Sequence, residues 1–142
     1  MISNELKTIV DKLSKKKEEM RFIEAATEEQ ISTFEKKNGF NLSSQYKEWL
    51  LNSDGGECYL PAGVQFYGVA HKPLINVDEK STPNDSYVVI GALSNGDPIL
   101  LKNGAETVSI YNLEAGKIEE DEVYKDFFAF MNDLDNILAI GV

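Results

Sequence analysis

The chain is poor in the residues that usually build metal or nucleophilic sites: it has one cysteine, Cys58, and one histidine, His71. A lone cysteine cannot form an internal disulfide, which suits a reducing compartment. A lone histidine would need carboxylates and Cys58 to complete a metal shell, and there is no HExxH, CxxC or paired-histidine spacing. No metal or cofactor is expected. P-loop and GxGxxG patterns are also missing; Gly55-Gly56 follows a predicted helix, whereas phosphate-cradling glycines precede one. No apolar run approaches the roughly 20 residues of a membrane span. The amino terminus, MISNELKTIVDKLSKKKEEM, lacks the apolar core and cleavage site of a signal peptide. These absences predict a cytoplasmic protein with no membrane association.

Positive charge is scarce too. Fourteen basic residues stand against 24 acidic ones, a formal net charge of −10. Residues 1–21 hold six basic and four acidic side chains, so residues 22–142 carry 8 − 20 = −12. Such a field repels phosphate backbones and argues against direct nucleic-acid binding. It would attract a basic protein partner, although on composition alone simple solubility is the preferred explanation. The 142 residues, 42% hydrophobic, suffice for a single domain spanning 1–142 that needs no disulfide or metal staple. Oligomeric state is not legible.

Helices are predicted first. Ile2, Leu6, Ile9, Val10 and Leu13 recur at helical spacing from residue 4 to about 19, with Ser3 or Asn4 as cap and Lys15-Lys16-Lys17 as a solvated last turn. Phe22 and Ile23 anchor the turn into the next helix. Thr27 and Gln30 form a capping box, Glu28 and Glu29 suit the helix dipole, and Asn38-Gly39 stops the helix. Ser43 or Ser44 caps a third helix carrying Tyr46, Trp49 and Leu50, which ends at Asp54-Gly55-Gly56.

Strands follow. Cys58 to Leu60, Val64 to Ala70, Tyr87 to Leu93, Ile99 to Leu101 after Pro98, and Thr107 to Tyr111 are rich in β-branched or aromatic residues. The turns Ser94–Asp97 and Asn103-Gly104 are too short for parallel crossovers, so these strands form an antiparallel meander. Residues 76–86 are the longest polar interruption. A last helix is predicted from about Asp121 to Ala139, with Val123, Phe127, Phe130, Met131, Leu134, Ile137 and Leu138 on its apolar face and Glu119–Glu122 at its positive pole. The fold class is α+β: an antiparallel sheet with N-terminal helices and a C-terminal helix packed against it.

Catalytic signals are weak. Cys58 and His71 could pair as nucleophile and base, but both lie in strand-like sequence, and a buried structural cysteine with an ordinary loop histidine is the preferred reading. Carboxylates are abundant, which is no evidence for a glycosidase-like pair.

Leu42, Tyr46, Trp49-Leu50 and Asp54-Gly55-Gly56 resemble the Leu-Pro-x-x-Tyr-x-x-Phe-Leu-x-x-x-Asn-Gly-Gly signature of the SUKH superfamily, which includes the fungal Smi/Knr regulator. Ser43, Trp49 and Asp54 depart from the usual proline, phenylalanine and asparagine. Val89-Ile90-Gly91 through Gly96-Asp97 and Ile99-Leu100 resemble the family's central strand pair, and Phe127, Phe130 and Met131 its terminal helix. The resemblance covers about Thr27 to Leu134. Its motif residues, Leu42, Tyr46, Trp49, Gly55, Gly56, Gly91, Gly96, Phe127 and Phe130, read as structural.

The resemblance implies a non-enzymatic module, an immunity protein that binds and neutralises a cognate polymorphic toxin, frequently a nuclease. A regulatory scaffold of the Smi/Knr kind and a small-molecule sensor or enzyme are the alternatives. For a basic toxin, charge and loop placement single out Asp54, Glu57 and Tyr59 after the third helix, Asp78, Glu79 and Asp85 in the polar interruption, and Asp97 at the turn as partner-binding residues.

Overall fold

In the computed structural model, residues 3–15, 20–59, 63–71, 74–75 and 87–134 are described, with the backbone alone for 119–122. Three helices come first: α1 (Asn4–Ser14), α2 (Glu28–Asn38) and α3 (Ser44–Asn52). Each begins where a hydroxyl side chain satisfies an orphan amide. Ser3 accepts from Leu6 N, Thr27 from Gln30 N and Ser43 from Tyr46 N. The capping box is complete, since Gln30 Oε1 also accepts from Thr27 N at 2.9 Å. Gly39 ends α2 at φ 60°, a left-handed conformation that costs glycine little.

The described strands form one sheet in the order β1 (Gly56–Cys58), β2 (Val64–Phe66), β3 (Tyr87–Leu93), β4 (Pro98–Lys102), β5 (Val108–Asn112) and β6 (Lys117–Tyr124). Every neighbouring pair is antiparallel. The α+β meander is therefore as expected. A short helix, α4 (Phe127–Asn132), follows β6.

The last helix differs from its prediction. Residues 121–124 belong to β6, and Asp126 caps α4 by accepting from Ala129 N at 2.8 Å. The acidic run lies inside a strand, and Val123 is 44% exposed on it rather than on a helical apolar face. Edge position explains how a charged run of low β propensity is tolerated there. The register jumps across this run: Ser109 pairs Val123 but Tyr111 pairs Ile118, so four residues of β6 lie opposite Ile110 alone. Ile137 and Leu138 lie outside the described residues, as do residues 16–19 at the predicted end of the first helix.

The helices cover one face of the sheet. Tyr46 and Trp49 of α3 meet Phe66 of β2 and Phe127 of α4, with centroids 5.0 Å apart for Tyr46–Phe127 and 5.5 Å for both Trp49–Phe66 and Phe66–Phe127. All four side chains are essentially fully buried. Leu6, Ile9 and Leu13 complete the layer from α1, which packs beside α4. Polar partners fix the aromatics: Trp49 Nε1 donates to Gly55 O at 2.9 Å, and the Tyr46 hydroxyl donates to Tyr67 O. Gly91 sits where a Cβ would come within 2.2 Å of Gln65 O, so close strand packing requires glycine there.

The segment before α2 runs along the outer side of β1. Arg21 and Glu57 exchange backbone hydrogen bonds of 2.8 and 2.9 Å, Ser53 Oγ accepts from Ile23 N, and Ala26 N donates to Leu50 O. Phe22 lies edge-on to Trp49 at 6.0 Å. This covers the β1 edge. No helix among the described residues is long and apolar enough to cross a membrane.

Candidate functional site

Asp54 stands where α3 gives way to β1. Contrary to the expectation of an exposed partner-binding acid, it is fully buried. Its carboxylate accepts from Val69 N (2.7 Å), Ala70 N (2.9 Å), His71 N (2.7 Å) and His71 Nδ1 (2.8 Å). Charge-assisted bonds of this kind recover the cost of burying the ion. Asp54 thus folds the segment after β2 around itself and has no face left for a partner. On the far side of the imidazole, His71 Nε2 lies 3.6 Å from Glu24 Oε2, whose side chain is 86% exposed. The hydrogen bond to Asp54 raises the His71 pKa above its ordinary 6.5, against a smaller lowering by desolvation, and the charges of Asp54 and Glu24 add to the rise.

Tyr59 is also corrected. It is 6% exposed, with φ 60°, and offers no exposed aromatic anchor. Asp78, Glu79 and Asp85 lie outside the described residues.

Glu57 and Asp97 are brought to one end of the sheet. Glu57 pairs Gln65, Gln65 pairs Ala92, and Ala92 pairs Pro98, which follows Asp97. Three strand spacings separate the ends of this row, about 14 Å. Alternation along the strands puts Glu57, Gln65 and Ala92 on the face opposite Phe66, away from the helices, while Asp97, whose carbonyl accepts from Leu93 N at 3.0 Å, stands one residue off that row. Glu57, Gln65 and Ala92 are half-buried there and line a depression of about 290 Å³ with Ser94. Asp97 Oδ1 accepts from Leu113 N at 3.2 Å and so ties the β3–β4 turn to the β5–β6 turn. Leu113, 47% exposed, is the apolar side chain beside this acid.

Nucleophilic chemistry finds little here. Cys58 is fully buried, and desolvation pushes its thiol pKa up to about 12, so it is held as the poorly nucleophilic thiol. His71 is engaged with Asp54 instead. Among the described residues no group of three or more His, Cys, Asp or Glu side chains could hold a metal ion.

Sequence reasoning missed the Asp54–His71–Glu24 array and the role of Glu106. The Glu106 carboxylate accepts from Ser44 N (3.1 Å), Ser44 Oγ (3.0 Å) and Gln45 N (3.4 Å), completing the start of α3 from 62 residues away. No local pattern signals such a distant cap.

The residues quoted for the SUKH resemblance occupy the places a structural motif demands. Leu42, Tyr46, Trp49, Phe127 and Phe130 are core, Gly55 and Gly56 have φ of 100° and 109°, and Gly96 turns the β3–β4 hairpin at φ 94°. Comparison with curated proteins finds no match. A family model, however, matches residues 25–133, from the segment before α2 to the end of α4, and the chain belongs to that family: the SMI1 / KNR4 family (SUKH-1).

Proposed function

We propose that this chain is a non-enzymatic immunity module that neutralises a basic toxin domain, of the nuclease class, by direct binding in the cytoplasm. The observation that carries the reading is a charge of −12 on residues 22–142 in a SUKH domain. A nuclease is basic because its substrate is an anion, so an acidic inhibitor meets it with a complementary field. The Glu57–Asp97 end of the sheet is the proposed contact, with Leu113 as an apolar neighbour. An interface of ordinary size would cover about 800 Å² of each partner.

The test is capture from lysate of the source organism with the purified chain as bait, eluted by rising salt. A single basic polypeptide held past about 0.5 M salt, where exposed charges are screened within a few ångströms, is the expected result, and its nuclease activity should fall on adding the chain. Glu57→Lys with Asp97→Lys should weaken capture. Several weak partners released at moderate salt would instead mark a Smi/Knr-like scaffold.

A further inference from the structure

A second concavity lies between α2 and the segment after β2. Thr33, Phe34 and Lys37 of α2 face Val69, Leu74 and Ile75 across a groove of about 570 Å³. Among the described residues, the bonds of the far wall are these. Gly68 and Leu74 form an isolated bridge, Ile75 N donates to Gly68 O at 2.9 Å, and the amides of residues 69–71 all end on Asp54. Next to Ala70 of this wall, the His71 side chain reaches back to two other connections, Asp54 between α3 and β1 and Glu24 between α1 and α2.

We propose that His71 is a proton-operated clasp: carrying a proton on both ring nitrogens it draws Asp54 and Glu24 together and fixes the groove wall, and on losing one it releases Glu24 and loosens the wall. With Nδ1 donating to the buried Asp54 carboxylate, the titrating proton is the one on Nε2, and only the doubly protonated ring carries the charge that attracts Glu24 Oε2 at 3.6 Å. Among the described residues, the charged groups against the imidazole are Asp54 and Glu24, both acidic. Glu29 and Lys37 of α2 line the groove itself. Behind Asp54, the Tyr46 hydroxyl is pushed well above its ordinary value, first by burial and then by the Asp54 charge, so it stays neutral throughout.

The sign follows from linkage. The folded value of His71 is raised, so the clasp's stabilisation is fully present below the unfolded value near 6.5 and is lost as pH rises through the raised value. The clasp is a property of the chain alone and is tested without a partner, so its failure would leave the immunity reading standing and the reverse.

The experiment is a proton NMR titration of the full chain, where the single histidine gives one unambiguous imidazole signal, with amide-exchange protection of Val69, Ala70 and His71 measured at each pH. Expected are a His71 midpoint above 6.5, protection factors that fall through that same midpoint, and a lower shared midpoint in Glu24→Gln. His71→Gln should remove the pH dependence of protection; if that variant does not fold, the Glu24→Gln shift decides alone. A midpoint at or below 6.5, protection that is flat across the titration, or a Glu24→Gln profile identical to wild type would overturn the proposal.

Discussion

At Asp54 one carboxylate terminates four hydrogen-bond donors from a segment 15 to 17 residues downstream. Removing it strands three backbone amides and a histidine, so Asp54→Ala should destabilise the fold by about 3–5 kcal/mol, the cost of breaking a buried charge array from one side. Urea denaturation checks this, as a lowered midpoint at unchanged slope. Cys58 gives a second test. With its thiol pKa near 12, it should resist an aromatic disulfide reagent at pH 8 in the folded chain and react at once in denaturant. The sequence signalled Cys58 correctly as a buried structural residue. It misplaced Asp54, because an acid in an Asp-Gly-Gly helix stop looks solvent-facing when its partners lie beyond the next two strands. Likewise Tyr59, inside the strand predicted from Cys58 to Leu60, lies just past the end of β1 and carried no sign of its left-handed backbone.

Helix starts were the most legible elements, since each depends on a side chain within three residues of the amide it satisfies. Thr27 read from local sequence, Ser3 and Ser43 each as one of two neighbouring candidates, and the turns around Gly96 and Gly104 were legible as well. The acidic run before α4 misled for the same reason in reverse. Its charges suit a helix N-terminus, and β6 owes its place to pairing with β5, which no local window reports. The true start, Asp126, lies four residues beyond the run. Long-range capping is equally hidden, and α3 shows what it contributes: Glu106 supplies both a hydrogen-bond acceptor and a negative charge at the positive pole. Glu106→Ala should cost about 1 kcal/mol, the usual worth of a lost cap. Glu106→Gln should cost less because the acceptor remains, and chemical denaturation of the two variants side by side separates charge from geometry.

For the whole molecule, the domain plan was legible because the SUKH motifs are core and turn residues spread from Leu42 to Phe130, whereas a binding surface depends on which acids end up side by side. Only the register of four strands brings Glu57 and Asp97 to the same end of the sheet. If that end of the sheet meets a basic partner, the association rate should drop steeply between low and physiological salt while dissociation changes little, as stopped-flow mixing would show. The strand order has a consequence of another kind. Each strand pairs with the next one along the chain, so apart from the long connection between β2 and β3 the sheet can zip up through closures of short loops. The ties between helices and the last part of the chain span far more sequence, Ser3 N to Glu48 over 45 residues and Phe128 N to Gln45 over 83. Such a chain should refold with the hairpins already paired at the rate-limiting step and the helix layer docking after it. Disturbing the Asn95-Gly96 turn should then slow refolding, whereas Gln45→Ala should leave that rate nearly unchanged and hasten unfolding.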